Sequence, residues 1–185
     1  MNKIFIVSSV SASGKSTLVD HAIKKLKLYR LKTCTTRKKR KEEKGDEYFF
    51  LSKEVFEFYA QNDAFVEWSI VYDKYYGLLK QEVENNADKN CIAILDVQGT
   101  EKLKKIYPEA ITIFIEPPDK KELFKRLGNR LDFNSKNRDK FDDYNRVTAM
   151  KTELLKMKEY DHVILFGPLN DMKESFIRLL KSMCS

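Results

Sequence analysis

The sequence predicts an α/β fold in which helices flank a largely parallel β-sheet. Along the 185 residues, apolar runs of four or five residues alternate with amphipathic stretches. The runs are continuously apolar, which is typical of strands buried on both faces of a parallel sheet. Because parallel strands need crossover connections, the amphipathic stretches between them are predicted to be helices.

The spacing of apolar residues places the strands and several helices. Residues 16–27 and 172–183 have apolar side chains on one helical face. Asp119, with Glu122 three residues later, is typical of the N-cap of a helix over residues 119–127. The predicted strands are residues 4–8, 91–95, 111–115 and 163–166.

Two segments interrupt this alternation within a single domain. Residues 33–86 are rich in aromatic side chains and are predicted to form an inserted small α+β subdomain with antiparallel strands and one helix. Residues 127–146 are polar and basic, which is the composition of a mobile lid. The remaining residues, 1–32, 87–126 and 147–185, form the predicted core.

The composition excludes several classes of protein. With 42% hydrophobic and 34% charged residues, the chain is globular rather than disordered or fibrous. Its apolar runs are far shorter than the ~20 residues of a membrane helix, and the run after Lys3 is too short for a signal peptide. Three scattered cysteines and two histidines argue against disulfides or structural zinc and favour the cytoplasm.

The net charge of +7 favours a polyanionic partner. Nucleic acid, a membrane surface and a phosphorylated small molecule all satisfy this condition. The charge alone does not choose among them, so the choice depends on the motifs.

Residues 9–16 resemble the phosphate-binding loop G-x-x-x-x-G-K-[ST], with Ser9 in place of the first glycine. A predicted strand precedes the loop and a helix follows it, as the motif requires. In such loops backbone N–H groups surround an anion, a lysine reaches the β- and γ-phosphates, and a hydroxyl binds Mg²⁺. The sequence therefore predicts a P-loop NTPase-type sheet with ATP bound by Ser9, Val10, Ser11, Ala12, Ser13, Gly14, Lys15, Ser16 and Thr17.

A second anion site is predicted in the insert. Arg37 and Arg40 offer guanidinium forks for a phosphate, and nearby tyrosines offer phenolic donors. Glu67, in an aromatic stretch, can accept from guanine N1–H and its amino group, a donor pair that adenine lacks. Alternatively, the basic run over residues 37–41 is a solvated surface or a nucleic-acid patch, and Glu67 faces solvent.

Together with the phosphate loop, five ordered motifs resemble guanylate kinase, and the resemblance covers nearly the whole chain. They are Thr35-Thr36-Arg37 with Arg40, residues 45–50 (GDEYFF), residues 65–68 (FVEW), Tyr75-Tyr76-Gly77 and residues 95–99 (LDVQG). The resemblance implies that the insert binds a nucleoside monophosphate and that residues 127–146 form a helical lid.

The resemblance also implies roles for individual residues. The arginines and tyrosines of the insert would hold the GMP phosphate, while Thr33 and Glu67 would read the base. Asp96 would orient the GMP site or hold Mg²⁺ through water, unless it only caps the next helix. Lys15, Arg126, Arg130 and Arg146 would stabilise the transferring phosphoryl group, unless the arginines are merely exposed. The implied GMP site is Thr33, Arg37, Arg40, Tyr48, Glu67, Tyr76, Gly77 and Asp96.

Four departures from the family pattern bear on the shape of the arginine loop, on the alignment of the lid arginines and on specificity. Lys39 and Glu42 replace a usual proline and glycine in the arginine loop, and the lid segment is longer than typical. Leu78 stands where a hydroxyl usually helps to bind guanine. Phe166 stands where an asparagine usually contacts adenine.

The sequence as a whole predicts an ATP:GMP phosphotransferase that uses Mg²⁺ and binds no nucleic acid or membrane. The chain is expected to be a monomer or a homodimer. One alternative is a related kinase for another phosphorylated acceptor, such as ribose bisphosphate. The others are a non-catalytic guanylate-kinase-like binding module and a nucleic-acid-binding protein.

Overall fold

A five-stranded sheet with helices on both faces forms the centre of the protein. The computed structural model describes residues 2–40, 43, 45–71, 73–130 and 150–184, with the backbone alone for residues 124 and 127–130. In chain order the elements are β1 (Ile4–Ser8), α1 (Lys15–Leu26), β2 (Tyr29–Arg30), β3 (Thr33–Thr35), β4 (Tyr48–Phe50), α2 (Lys53–Gln61), β5 (Phe65–Val71), β6 (Lys74–Leu79), α3 (Lys80–Glu84), β7 (Cys91–Ile94), α4 (Val97–Ile106), β8 (Ile111–Ile115), α5 (Lys120–Arg130), α6 (helical residues 150–155), a 3₁₀ turn (Lys156–Glu159), β9 (His162–Ile164) and α7 (Leu169–Cys184).

The central sheet is parallel and follows the order β2-β7-β1-β8-β9. β1 lies in the middle, where Ile6 is in register with Ala93 of β7 and Thr112 of β8. The carboxyl ends of the strands therefore meet at one edge, which is where ligands bind in α/β sheets. The predicted parallel sheet flanked by helices is confirmed.

Three of the four predicted strands agree with the structure to within one residue. Residues 4–8 and 111–115 coincide with β1 and β8, and β7 ends one residue before its predicted end. β9 is His162–Ile164 rather than residues 163–166, because the chain leaves the sheet at Leu165, which is 70% exposed. β2 was not predicted, since two residues at a sheet edge give no periodic signal.

Alternate residues of β1 point into two apolar cores. Phe5 and Val7 pack with Phe176 of α7 on one face of the sheet. On the other face Ile6 packs with Leu103 of α4. Each fully buried side chain of this size contributes roughly 1.5–3 kcal/mol, so the two cores fix β1 and the loop that follows it.

A second sheet, ordered β4-β3-β6-β5, lies within the predicted insert. Its strands are antiparallel except for β3 and β4, which pair in parallel. Phe56 of α2 stacks on Phe65 of β5 with ring centroids 4.5 Å apart and forms the centre of a small aromatic core. α3 follows directly, and its Val83 packs in the core cluster of Ile6 and Leu103. The boundaries of the insert stay predictions.

The predicted lid falls almost wholly outside the part of the chain that the structure describes. The backbone of residues 127–130 continues α5, and the description resumes at residue 150. Among the described helices, none combines the length and apolar character needed to cross a bilayer.

Candidate active site

The predicted phosphate loop connects β1 to α1 and is held by apolar packing. Gly14 precedes the helix with φ of +97°, a conformation that glycine adopts readily. Ala12 has φ of +67°, which is uncommon for a residue with a side chain. Val10 and Ala12 pack against Leu123 of α5 and Met150 of α6. The loop is therefore fixed by the two helices on either side of the predicted lid.

Lys15 is the first residue of α1, and its ammonium group lies against the loop. Its Nζ donates to the carbonyl oxygens of Ser9 at 2.6 Å and Val10 at 2.9 Å. Ser9 and Ser13 are buried, and within the described ranges their hydroxyl oxygens have no hydrogen-bond partner. The N-terminus of α1 adds positive potential from its backbone dipoles. These features together form a site suited to an anion.

One cleft, here called the main cleft, lies between this loop and the second sheet. Most residues predicted to bind either nucleotide line it, although Val10, Ser13, Gly14 and Thr17 do not. A smaller side pocket, also lined by Thr17 and Glu43, shares several residues with the main cleft, among them Ser16, Thr33, Arg40 and Tyr48. The predicted residues in the main cleft are Ser9, Ser11, Ala12, Lys15, Ser16, Thr33, Arg37, Arg40, Tyr48, Glu67, Tyr76, Gly77 and Asp96.

Glu67 is a buried carboxylate in the wall of the main cleft. A β-bulge between Phe65 and Glu67 shifts the register, so that Glu67 lies opposite Leu78. Its side chain is 5% exposed, and Oε2 has no hydrogen-bond partner among the described residues. Burial and the charge of Asp96 raise the pKa of Glu67 to about 8, although Lys102 acts in the opposite direction. The alternative that Glu67 faces solvent is therefore wrong.

Two glycines make room around Glu67. A Cβ on Gly99, in the first turn of α4, would lie 2.6 Å from Glu67 Oε2. A Cβ on Gly77 of β6 would lie 2.9 Å from atoms of Phe65 and Trp68. Gly77 thus allows β5 and β6 to approach closely, and Gly99 allows the carboxylate to lie against the helix.

Asp96 follows β7 and caps α4. Its Oδ1 accepts from the Gly99 backbone N–H at 3.0 Å, and its Oδ2 accepts from the Ser69 hydroxyl at 2.5 Å. The capping role considered from the sequence is therefore present, and Asp96 lines the main cleft as well. Its carboxylate connects the core to β5 of the second sheet.

The guanylate kinase family model matches residues 1–183 of the chain. The guanylate kinase of Bartonella quintana (strain Toulouse) is 40% identical over 172 residues, which are 90% of this chain and 75% of that protein. The guanylate kinase of Bartonella henselae is 37% identical over 185 residues, covering 97% and 79% respectively. The chain belongs to the guanylate kinase family.

The same family supplies a similar solved fold. The crystal structure of guanylate kinase from Anaplasma phagocytophilum superposes with a TM-score of 0.71 at 24% identity, covering 99% of this chain and 86% of that one. The predicted fold, family and enzyme class, a nucleoside monophosphate kinase, are thus confirmed. The guanylate kinase family also accounts for the order of the five sequence motifs.

Two acidic residues at the site of this guanylate kinase family member were not predicted from the sequence. Glu153 of α6 lines the main cleft, and its buried Oε2 has no hydrogen-bond partner in the described ranges. Burial raises its pKa to about 7, with Lys15 lowering it and Asp96 raising it. Glu43 binds Arg37. Neither had a local signal, since Glu153 reaches the cleft only through helix packing and Glu43 follows a basic run.

Of the three predicted lid arginines, Arg126 alone has a side chain that the structure describes. Asp119 Oδ1 accepts from the Glu122 backbone N–H at 2.9 Å, as predicted for the start of α5. Arg126 Nε then donates to Glu122 at 2.8 Å, and its guanidinium lies 5.7 Å from the ring centroid of Phe166. The side chain of Arg130 and the whole of Arg146 lie outside the described residues.

The remaining departures from the guanylate kinase pattern fall in different places. Leu78 is fully buried in the core cluster with Ile6 and Leu31, so its side chain does not line the main cleft. Phe166 is 39% exposed at the end of the sheet beyond β9. Glu42 lies outside the described residues.

Proposed function

We propose that this family member transfers the γ-phosphoryl group of ATP to GMP, with both nucleotides bound in the main cleft. The observation that carries the proposal is that Lys15 and Ser16 line this cleft together with Arg37, Arg40 and Glu67. Because the two anion sites open on the same space, a donor and an acceptor phosphate can approach without an intervening carrier.

The loop side of the cleft is proposed to bind the triphosphate of ATP. Backbone N–H groups at the start of α1 and the Lys15 ammonium group supply positive charge there. Lys15 already lies over the loop, bound to the Ser9 and Val10 carbonyls. We assign to it the β- and γ-phosphates, where it neutralises charge that builds up on the leaving group.

The other side of the cleft is proposed to bind GMP. Arg37, Arg40, Tyr48 and Tyr76 hold its phosphate, because guanidinium forks and phenols donate to phosphate oxygens. Thr33 and Glu67 read the base. Glu67 Oε2 lacks a partner among the described residues, and guanine supplies N–H donors at its N1 and amino positions. Because adenine lacks this donor pair, the unpaired carboxylate would discriminate against it.

The oxygen atoms near the loop fit a Mg²⁺ ion bound with ATP. Mg²⁺ prefers hydroxyl, carboxylate and water oxygens. Ser16, Asp96 and Glu153 all line the main cleft, and the buried Oε2 of Glu153 has no described hydrogen-bond partner. We propose that Ser16 holds the ion directly and that Asp96 acts through water. When bound, Mg²⁺ would neutralise phosphate charge during transfer.

Transfer itself needs positioning and charge more than proton movement. The phosphate of GMP is already anionic near neutral pH, so no general base is required. Arg126, Arg130 and Arg146 are proposed to approach the transferring phosphoryl group and stabilise its charge. A cytoplasmic location, a monomer or homodimer, and the absence of a nucleic-acid partner belong to the same proposal; the three cysteines are free in the structure.

The test is ADP release by the full chain with six acceptors: GMP, dGMP, AMP, UMP, CMP and ribose bisphosphate. We expect turnover with GMP and dGMP alone. Lys15→Ala should reduce turnover by at least 10³-fold without unfolding the protein, whereas Lys24→Ala, an exposed lysine of the same helix, should leave it unchanged. Equal turnover with AMP or ribose bisphosphate would contradict the assignment of Glu67, and full activity of Lys15→Ala would contradict the loop mechanism.

A further inference from the structure

Glu43 binds both ends of the Arg37 guanidinium group. Arg37 Nη2 donates to Glu43 Oε1 at 2.7 Å, and Arg37 Nη1 donates to Glu43 Oε2 at 2.9 Å. The two side chains are 13% and 12% exposed, so solvent screens this pair only partly. Glu43 Oε2 also accepts from the backbone N–H of Arg40 at 2.8 Å. One carboxylate thus contacts both arginines assigned to the acceptor phosphate.

The remaining contacts fix the plane of the Arg37 guanidinium. Nη1 also donates to the Lys38 carbonyl at 2.8 Å. The central carbon lies 5.2 Å from the ring centroid of Tyr48 and 5.6 Å from that of Phe50. Of the five N–H groups of arginine, these contacts use three, and toward the described residues they leave Nε and one Nη2 hydrogen for a ligand.

Glu43 contacts Arg37 but, unlike Arg37, does not line the main cleft. Arg37 lines the main cleft with Lys15 and Asp96. Glu43 instead lines the side pocket, together with Thr17, Asp20 and Arg40. Glu43 therefore contacts Arg37 from outside the main cleft, a position from which it can support the guanidinium group.

The charge of Glu43 strengthens this support. Burial raises the pKa of Glu43, but hydrogen bonds from the Arg37 side chain and the Arg40 backbone, with the charges of both arginines, lower it below its ordinary value. Glu43 is consequently ionised at neutral pH, and its hydrogen bonds to Arg37 are charge-assisted.

We infer that Glu43 is a positioning residue that holds Arg37 ready for the phosphate of the acceptor nucleotide. This inference rests on the proposed function, since it takes Arg37 to be a ligand of that phosphate. Arginine has a long and mobile side chain, and ordering it only on binding would weaken affinity. With Glu43, Lys38 and two rings already in contact, the guanidinium is ordered before the nucleotide arrives.

The test compares phosphate-dependent with phosphate-independent binding in the full chain. Glu43→Gln keeps the shape of the side chain but removes its charge. We expect its Kd for GMP, measured by calorimetry, to rise about tenfold, which corresponds to about 1.4 kcal/mol. The inhibition constant of guanosine and the KM for ATP should change less than twofold, because neither ligand needs Arg37.

Three comparisons separate positioning from a general effect on folding. Glu57→Gln, which removes an exposed glutamate of α2, should leave all constants unchanged. Glu43→Asp should recover part of the affinity for GMP. In an Arg37→Ala background, Glu43→Gln should cause a clearly smaller loss than in the wild type, because only the contacts of Glu43 with Arg40 remain. Melting temperatures of all variants identify any that fail to fold.

Each outcome either supports or overturns the inference. Equal weakening of GMP and guanosine binding would overturn it, because a distorted loop would affect both ligands. Tighter binding of GMP by Glu43→Gln would also overturn it, since Glu43 would then compete with the phosphate. A wild-type chain that binds no GMP would instead refute the proposed function.

Discussion

Glu67→Gln should stabilise the protein while weakening its binding of GMP. Glu67 is 5% exposed, and its Oε2 has no hydrogen-bond partner among the described residues. The fold therefore opposes the charge of this carboxylate, and its pKa rises to about 8, mainly through burial. Glutamine has nearly the same shape and no charge to bury.

The magnitude of this stabilisation depends on pH. The pKa of Glu67 is about 8 in the folded protein, whereas the ordinary value of 4.5 applies in the unfolded chain. Between these values the folded state binds more protons than the unfolded state, so the free energy of unfolding falls as pH rises. At pH 7 Glu67 is ionised in the unfolded chain and must take up a proton to fold. At 1.36 kcal/mol for each pKa unit, this lowers the free energy of unfolding of the wild type by about 3 kcal/mol. The loss begins near pH 4.5 and is complete above pH 8.

The assay is urea denaturation of the wild type and Glu67→Gln between pH 4 and pH 9, without nucleotides. We expect equal stability at the acid end and a gap that widens to about 3 kcal/mol at pH 7, or about 6–12 °C in Tm for a chain of this length. Glu57→Gln should show no such widening. The Kd for GMP should rise at least 10²-fold in Glu67→Gln. Parallel stability curves would refute the argument, because they would show that Glu67 titrates as an exposed carboxylate does.

Two further predictions concern Gly99 and the cysteines. Gly99→Ala should stabilise helix α4 by up to about 1 kcal/mol, because alanine has the higher helix propensity. It should nevertheless raise the KM for GMP about tenfold and leave the KM for ATP unchanged, because the new Cβ lies 2.6 Å from Glu67 Oε2. Gly167→Ala, where a Cβ meets no atom within 4 Å, is the matched control, and equal KM values for GMP in both variants would contradict the prediction. Iodoacetamide should add one group to the native protein, at exposed Cys184, and three in urea. Burial raises the pKa of Cys34 to about 12 and that of Cys91 to about 11, so native labelling of either, detected by mass spectrometry, would show that its thiol is accessible.

The sequence predicted those strands and loops whose formation depends on neighbouring residues alone. The run over residues 4–8 and the glycine and lysine after it identify β1 and the phosphate loop without reference to the rest of the chain. β2 gave no signal because its two residues become a strand only by pairing with Cys91 and Ile92 of β7. The end of β9 was misplaced because apolar residues continue beyond the sheet into an exposed segment.

The sequence predicted those site residues that belong to a recognisable motif. It did not predict residues that only the packing of distant elements brings to the cleft. Arg37, Arg40 and Glu67 belong to recognisable motifs, and the structure brings them into one cleft. Glu153 comes from a helix more than a hundred residues from the loop it faces, so no spacing rule connects them. For Leu78, the side-chain direction was set by the register of β6 and by the bulge in β5, neither of which the sequence shows.

The contacts around Glu67 connect the proposed base pocket both to the second sheet and to the core. Glu67 belongs to β5 of the second sheet, yet its carboxylate lies against Gly99 of the core helix α4. In the same way, Ser69 of β5 donates to Asp96 at the start of that helix, and Lys102 of α4 donates to the Trp68 carbonyl. The proposed base pocket is therefore built from β5 of the second sheet and from helix α4 of the core. A guanine bound to Glu67 would contact both the second sheet, whose β3 leads to Arg37, and the core, which carries Lys15. We therefore expect the contacts that select the base also to influence the position of the acceptor phosphate relative to the donor.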